Sequence, residues 1–382
     1  MNDILRHYFL EKTLKKIMTK QVIIIGTSKE SSMTEKTIYL NPNAKNKSDI
    51  SAKRLEWIDL AKGITMILVI IGHTVHLGLL RYVIYSFHMS LFFIVSGVTY
   101  RTSENKEMFK HKMKKSFRHL MLPTIVIYLL QIIIEVILNF DKISWIDYLL
   151  TKTYVAVFAS GYDLKFGSKT IVGIGAVWFF VVLFISKALY DYLHLKLKQN
   201  IFIIVVLSLS VCGVVIGNLQ ALPLSFDIAL AVLPLYLVGK YIPQNILLKQ
   251  SSIIIPISLL IWGLTFFIEY AVKECSMEFT IREYPIYPLC FLTAIAGSIF
   301  ILSASIALLK IKSFLKPLIF IGKNSMYLFW VHIMDYLLKS VWDIEENLFL
   351  RVTVRMMIDI ALFIVLVTIT AFLKKRKYGH QQ

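Results

Sequence analysis

Windows of about 20 residues almost free of charge constrain this chain more than any other feature, because a helix of that length crosses the ~30 Å hydrocarbon layer of a membrane. Such windows recur at 57–78, 82–100, 119–139, 172–190, 201–217, 226–241, 252–271, 286–308, 318–338 and 352–373. In hydrocarbon a spanning segment must satisfy its own backbone, which leaves helices or a closed barrel, and the long unbroken apolar runs select helices. The expected fold is therefore all-α: a polytopic membrane protein with about ten transmembrane helices. The 57% hydrophobic and 17% charged content agrees, as does the mean hydropathy of +0.67.

The loops set the expected topology. Basic residues collect after every second helix: Arg101 to Arg118, Lys187 to Lys198, Lys240 to Lys249, Lys310 to Lys316, and Lys374 to Lys377. The opposite loops hold acids, among them Glu274, Glu278, Glu283, Asp343, Glu345 and Glu346. The positive-inside rule then places both termini in the cytoplasm. The same rule absorbs the net charge of +18, and no aromatic-basic module accompanies it, so nucleic acid is not an expected partner. Three parts follow: a cytoplasmic, disordered or surface-lying tail at 1–53, the membrane domain at 54–373, and a basic cytoplasmic tail at 374–382. A start at Met33 would leave the residues before it without a role. The first 50 residues lack the pattern of a cleavable signal, so the first apolar helix is expected to act as an uncleaved anchor. Segment 140–171, with Trp145, Tyr148 and Tyr154, reads as a short interfacial helix and loop on the outer face, long enough to cover a site. Cys212, Cys275 and Cys290 form neither a disulfide framework nor a metal spacing.

The informative stretch is 54–101, which reads as two apolar helices joined by a tight bend. Ionisable groups at membrane depth are expensive and point to function. Lys62 and His73 are eleven positions apart, so they lie about 20° apart around a helix and about 16 Å apart along it. Asp59 can pair with Lys62 across one turn. Gly72 permits close approach beside His73. A histidine near the middle of the bilayer reads as a packing residue, a proton relay or a general base, the last because an imidazole takes a hydroxyl proton near neutral pH. His88, flanked by Ser86, Ser90 and Ser96, reads as an orienter of His73, a substrate contact or an interhelical bond. His76 reads as a solvated helix-end residue.

Lys115 and Arg118, three apart before the third helix, suit phosphate or a nucleotide, or anionic lipid at an ordinary basic flank. In the ninth window, Gly322 to Ser325 reads as a turn with Asn324 and Ser325 at a helix start, and His332 as a second site residue or an interhelical bond. Trp178, Asp227 and Glu269 are weaker candidates, Asp227 being suited to a helix N-terminus.

The runs IDLAKGITMILVIIGH and SFHMSLFFIVSG, the Lys-x-x-Arg pair, VWFFVVLF, PLSFDIALAVLPLYLVGK and IGKNSMYLFWVH, in that order, resemble the integral-membrane acyltransferase type 3 family, nearest its fucose 4-O-acetylase-like branch. The resemblance spans about 54–340. It implies a ten-helix membrane O-acyltransferase that takes an acyl group, usually acetyl from cytoplasmic acetyl-CoA, to a hydroxyl of a sugar or cell-surface glycan in a bacterial plasma membrane. By the same resemblance Lys62 and His73 match the required basic residue and histidine, and Lys115 and Arg118 match the pair that meets the donor's phosphates. Lys stands at 62 and 115 where Arg is commoner, and Pro123 falls later. His73 would deprotonate the acceptor hydroxyl or carry the acyl group transiently, and Lys62 would stabilise an oxyanion or a phosphate. No metal is expected; the expected partners are acyl-CoA, the glycan acceptor and membrane lipid. Two other classes remain: a proton-coupled glycan transporter or flippase using His73 and His88 as a relay, against which no internal repeat is visible, and a non-catalytic membrane sensor.

Overall fold

The computed structural model describes residues 47–75, 78–138, 145–166, 169–171, 173–343 and 347–379. The described residues all fall within the compact unit Lys45–Gln382. Most of the expected tail at 1–53, His76, Glu345 and Glu346 lie outside the described residues.

The described residues are helical apart from several short turns and one hairpin. In chain order the helices are α1 (Lys47–Thr74), α2 (Leu79–Tyr85), α3 (His88–Val98), α4 (Lys106–Ser116), α5 (Leu122–Leu138), α6 (Trp145–Phe158), α7 (Trp178–Lys196) and α8 (Gln199–Leu219). They continue with α9 (Phe226–Ala231), α10 (Leu233–Tyr241), α11 (Gln244–Lys273), α12 (Leu289–Leu308), α13 (Lys312–Lys323), α14 (Ser325–Met334), α15 (Lys339–Trp342) and α16 (Leu348–Gly379). Strands β1 (Leu164–Phe166) and β2 (Lys169–Ile171) pair antiparallel, a small departure from an all-α chain. Within 140–171, where a short helix is expected, lies α6. α1 begins at Lys47 and α16 runs on to Gly379, so both extend past the boundaries expected for the membrane domain.

Among the described residues, eight helical stretches are long and apolar enough to cross a membrane, or nine if α9 and α10 with the turn before them form one span bent by 42°. This makes the chain a multi-pass membrane protein. Three expected helices are broken, the sixth, 226–241, at Val232 between α9 and α10. The second divides at Ser86 and Phe87 into α2 and α3. The ninth, 318–338, divides at Asn324 into α13 and α14, where the Asn324 amide nitrogen donates to the Phe320 carbonyl at 3.0 Å and ends α13.

The spans 56–74 and 79–98 are 61% and 67% buried inside the protein, whereas 244–273 and 348–373 are each only 11% buried. The first pair forms the centre of the bundle; the second pair turns Leu260, Phe267, Leu362 and Phe372 outward to lipid, where apolar exposure carries no penalty. α13 and α14 ascend beside α1: Lys312 pairs with Glu56 at 3.4 Å near one end, and the His332 and His73 rings lie 5.3 Å apart near the other.

Bare backbone makes that packing possible. A Cβ on Gly322 would lie 1.6 Å from the Asp59 carbonyl oxygen, and one on Gly63 would lie 2.0 Å from that of Leu318. Small residues at such crossings let helix axes approach closely in a membrane. Gly322→Val is therefore expected to lower the melting temperature in detergent sharply, through at least the 1–3 kcal/mol of ordinary overpacking, roughly. Gly263→Ala, where a new Cβ meets nothing within 4 Å, should leave it unchanged or slightly raised.

Candidate active site

His73 ends α1 where the chain turns back, and Gly72 beside it lets the next helix close in: a Cβ there would sit 3.1 Å from both Ile84 and the Tyr85 ring. The Tyr85 hydroxyl thereby lies 3.1 Å from His73 Nδ1 and shares a hydrogen bond with it. The break after α2 places His88 below Tyr85, with ring centroids 4.7 Å apart, and His88 Nδ1–H donates to the Ile84 carbonyl at 3.0 Å. That contact uses a carbonyl at the helix break, and it fixes the tautomer of a neutral His88 with Nε2 bare.

His73, Tyr85, His88 and His332 line one cavity of about 600 Å³. Tyr128, Tyr148, Trp178, Phe329 and Tyr336 supply flat aromatic walls, and Gln131, Asp163, Thr280 and Glu278 supply polar atoms. Ion pairs lie at its wall. Lys152 meets Glu135 at 2.9 Å, and Tyr148 donates to the same carboxylate. Arg81 meets Glu278 at 3.1 Å and lies 4.1 Å over the Tyr85 ring. Burial pushes the Glu278 carboxyl above the ordinary glutamate range, against the pull of Arg81. Glu278 therefore takes up a proton at a higher pH than a free glutamate, and acidification weakens the Arg81 contact first in its ionic part.

His332 is the most elaborately held group. Its Nδ1–H donates to Asp359 Oδ2 at 3.1 Å and lies 3.2 Å from Asp335 Oδ2. Arg355 grips Asp335 with two nitrogens, at 2.6 and 2.9 Å, and donates to Thr74 on α1 at 3.3 Å. All four of His332, Asp335, Arg355 and Asp359 are buried. The ligand atoms of His332, Asp335 and Asp359 lie within 4.8 Å of one another, a grouping that could hold a metal ion. The Arg355 guanidinium already occupies Asp335 and would repel a cation placed there.

Of the residues singled out in the sequence, the fold brings His73, His88, Trp178 and His332 to the cavity. It does not bring Lys62, which pairs with Asp59 at 2.8 Å, partly exposed, about 16 Å down the same helix. Ser96 donates to the Phe92 carbonyl at 2.9 Å, an ordinary helix back-bond, and Asn324 is a helix terminator. Lys115 and Arg118 are exposed, with Arg118 inside a π-helical turn, Phe117–Met121. Their neighbour Lys112 pairs at 2.7 Å with buried Asp191, about 20 Å along α7 from Trp178, so these cations lie at the end of the bundle remote from the cavity. Glu269 accepts from Thr293, and Asp227 pairs with Arg282 rather than only capping α9.

Tyr85, Asp335, Arg355 and Asp359 escaped the sequence reading. Arg355 and Asp359 stand four apart in the last apolar window, and the intramembrane-charge rule that picked out Lys62 and His73 would have found them there.

A family model described as an acyltransferase domain matches residues 55–374. The chain matches no curated protein and no solved structure.

Proposed function

The chain belongs to this acyltransferase family, and from that premise we propose that it is a membrane O-acyltransferase of the fucose 4-O-acetylase-like branch. It moves an acyl group, acetyl first among them, from cytoplasmic acyl-CoA to a hydroxyl of a sugar or cell-surface glycan, in a cell membrane with both termini in the cytoplasm. The observation that carries this reading is His73 on the wall of a cavity of about 600 Å³, lined by aromatic faces and paired polar groups. That size falls within the usual range of small-molecule sites, about 300–1,000 Å³. Flat aromatic rings suit the C–H faces of a sugar, and the hydroxyl, carboxylate and amide groups between them suit its hydroxyls.

His73 takes the proton from the acceptor hydroxyl as its oxygen attacks the thioester carbonyl. The tetrahedral intermediate collapses, the C–S bond breaks, and the proton on His73 passes to the departing thiolate. A transient acyl group on His73 is an equally balanced route, in which the imidazole attacks first and the hydroxyl second. Lys115 and Arg118 meet the donor's phosphates at the remote end of the bundle, helped by the basic surface around them. Lys62, at that same end, serves the donor rather than the acyl carbon.

The test is purified protein in lipid with acetyl-CoA and a mixture of candidate sugars, read as free thiol. Acceptor-dependent release of CoA supports the reading; protein that neither binds CoA nor releases it overturns the enzyme in favour of glycan transport. Tyr85→Phe, which deletes one hydrogen bond to His73, is expected to slow transfer about fivefold, the equivalent of about 1 kcal/mol, without changing the donor's KM.

A further inference from the structure

We propose that His332 is a second catalytic residue, whose Nε2–H donates to the carbonyl oxygen of the acyl group as that oxygen takes up negative charge. The proposal rests on the acyltransferase reading and adds to it the group that stabilises the tetrahedral intermediate.

Attack on a thioester moves an electron pair onto the carbonyl oxygen, and the transition state needs a donor aimed at it. If His73 is the base, the acceptor oxygen lies within hydrogen-bond reach of that ring and the acyl carbon one forming bond beyond it, so Lys62, about 16 Å away along α1 and bound to Asp59, cannot serve. Arg355 lines the cavity, but it is gripped bidentately by Asp335, bonded to Thr74 and stacked 4.1 Å over the Trp342 ring, so its remaining N–H groups are not free to reorient. His88 gives its Nδ1–H to the Ile84 carbonyl, which leaves a bare acceptor nitrogen on the neutral ring. The Arg81 and Lys152 charges are matched by Glu278 and Glu135.

His332 remains. Its ring lies 5.3 Å from that of His73, centroid to centroid, on the wall of the same cavity. Asp335 and Asp359 hold its Nδ1, and among the described residues Nε2 has no hydrogen-bond partner. Of the two buried carboxylates Arg355 pairs with Asp335 alone, and an imidazolium opposite Asp359 completes the charge balance of the four. A ring in that state is a fixed donor toward the cavity. Asp335, Asp359 and Arg355 are positioning residues that act through it, and they bring the last helix into the site. His332 is not consumed: the electron pair that moves onto the oxygen returns on collapse, the C–S bond breaks, and the thiolate takes its proton from His73.

The test compares wild type with His332→Ala, His332→Gln, Asp359→Asn and His73→Ala, all in lipid and all checked by thermal melting. The readout is the separation of kcat from the donor's KM. His332→Ala should lose about 10²–10³ in kcat at unchanged KM, the usual effect of deleting one such donor. His332→Gln keeps an N–H near the same position and should recover about tenfold over alanine, because amides also serve as oxyanion donors. Asp359→Asn should cost about tenfold in kcat, since it removes one of two anions from Nδ1. His332→Ala within about threefold of wild type, while His73→Ala is silent, overturns the proposal and leaves the acyltransferase standing. Alanine and glutamine variants equally inactive, both with wild-type melting, overturn donation in favour of proton transfer by the ring. A wild type that releases no CoA removes the reading beneath both.

Discussion

His73→Ala is expected to reduce acceptor-dependent release of CoA by about 10³-fold or more, within and above the range that a positioned base usually supplies. Nothing near it can take over. The Tyr85 hydroxyl, 3.1 Å away, is buried and has a much weaker affinity for a proton than imidazole. His88 is held to the Ile84 carbonyl with its ring centroid 6.4 Å from that of His73. His332 is bound to two aspartates. The substitution removes a ring from the cavity wall, not from the apolar core, so the melting temperature should fall little. CoA binding, proposed for the remote basic end, should survive. That combination, a folded protein that binds donor and transfers nothing, is what separates a chemical role from a structural one. Retention of more than about a tenth of wild-type turnover would remove His73 from the proton-transfer step.

The site was legible in the sequence wherever one helix carried its own signal. Lys62 and His73 stand out because both are ionisable residues in a single apolar window, and helix periodicity alone puts them on one face. The same periodicity places them far apart along the axis, which the structure turns into two different neighbourhoods: Asp59 for the lysine and the cavity for the histidine. Pairings between distant segments were not legible. His332 reaches Asp359 from another helix, and Arg81 reaches Glu278 across most of the chain. No local pattern encodes either meeting. The break in the second helix escaped for a related reason. Ser86 and Phe87 continue an apolar run without a proline or glycine, and the break there is sustained by tertiary contacts: Trp262 donates to Ser86 Oγ at 2.9 Å and Phe87 packs on the Trp262 ring. Asn324, by contrast, was read correctly as a boundary because its side chain competes with the helix backbone.

Asp227→Ala is expected to be the most destabilising single change outside the cavity. Asp227 and Arg282 are both buried, the carboxylate fully, with Nε–Oδ2 at 2.8 Å and Nη2–Oδ1 at 3.3 Å. The same guanidinium reaches Ser160 and Ser225, and the Asp227 carboxylate accepts from the Leu222 backbone at 3.0 Å. One ion pair thus ties together the end of α6, the entry to α9 and the loop carrying Glu278, Phe279 and Thr280, three residues of the cavity wall. Arg282 sits at φ 60°, a left-handed conformation that a β-substituted residue adopts only when its surroundings hold it there. Removing the carboxylate leaves a buried cation without its counter-ion, at a cost of about 3–5 kcal/mol. The double variant Asp227→Leu with Arg282→Met removes both charges and should lose clearly less than Asp227→Ala alone, because its buried groups no longer include an unpaired ion. Thermal melting of the single and double variants in detergent measures the difference. A double variant less stable than the single would mean that Arg282 is retained for its contacts to Ser160, Ser225 and the Thr280 carbonyl rather than for Asp227. In either case loosening this tie should raise the KM for the acceptor before it changes that for the donor, since the loop it holds borders the cavity and Lys115 and Arg118, proposed to meet the donor, lie at the other end of the bundle.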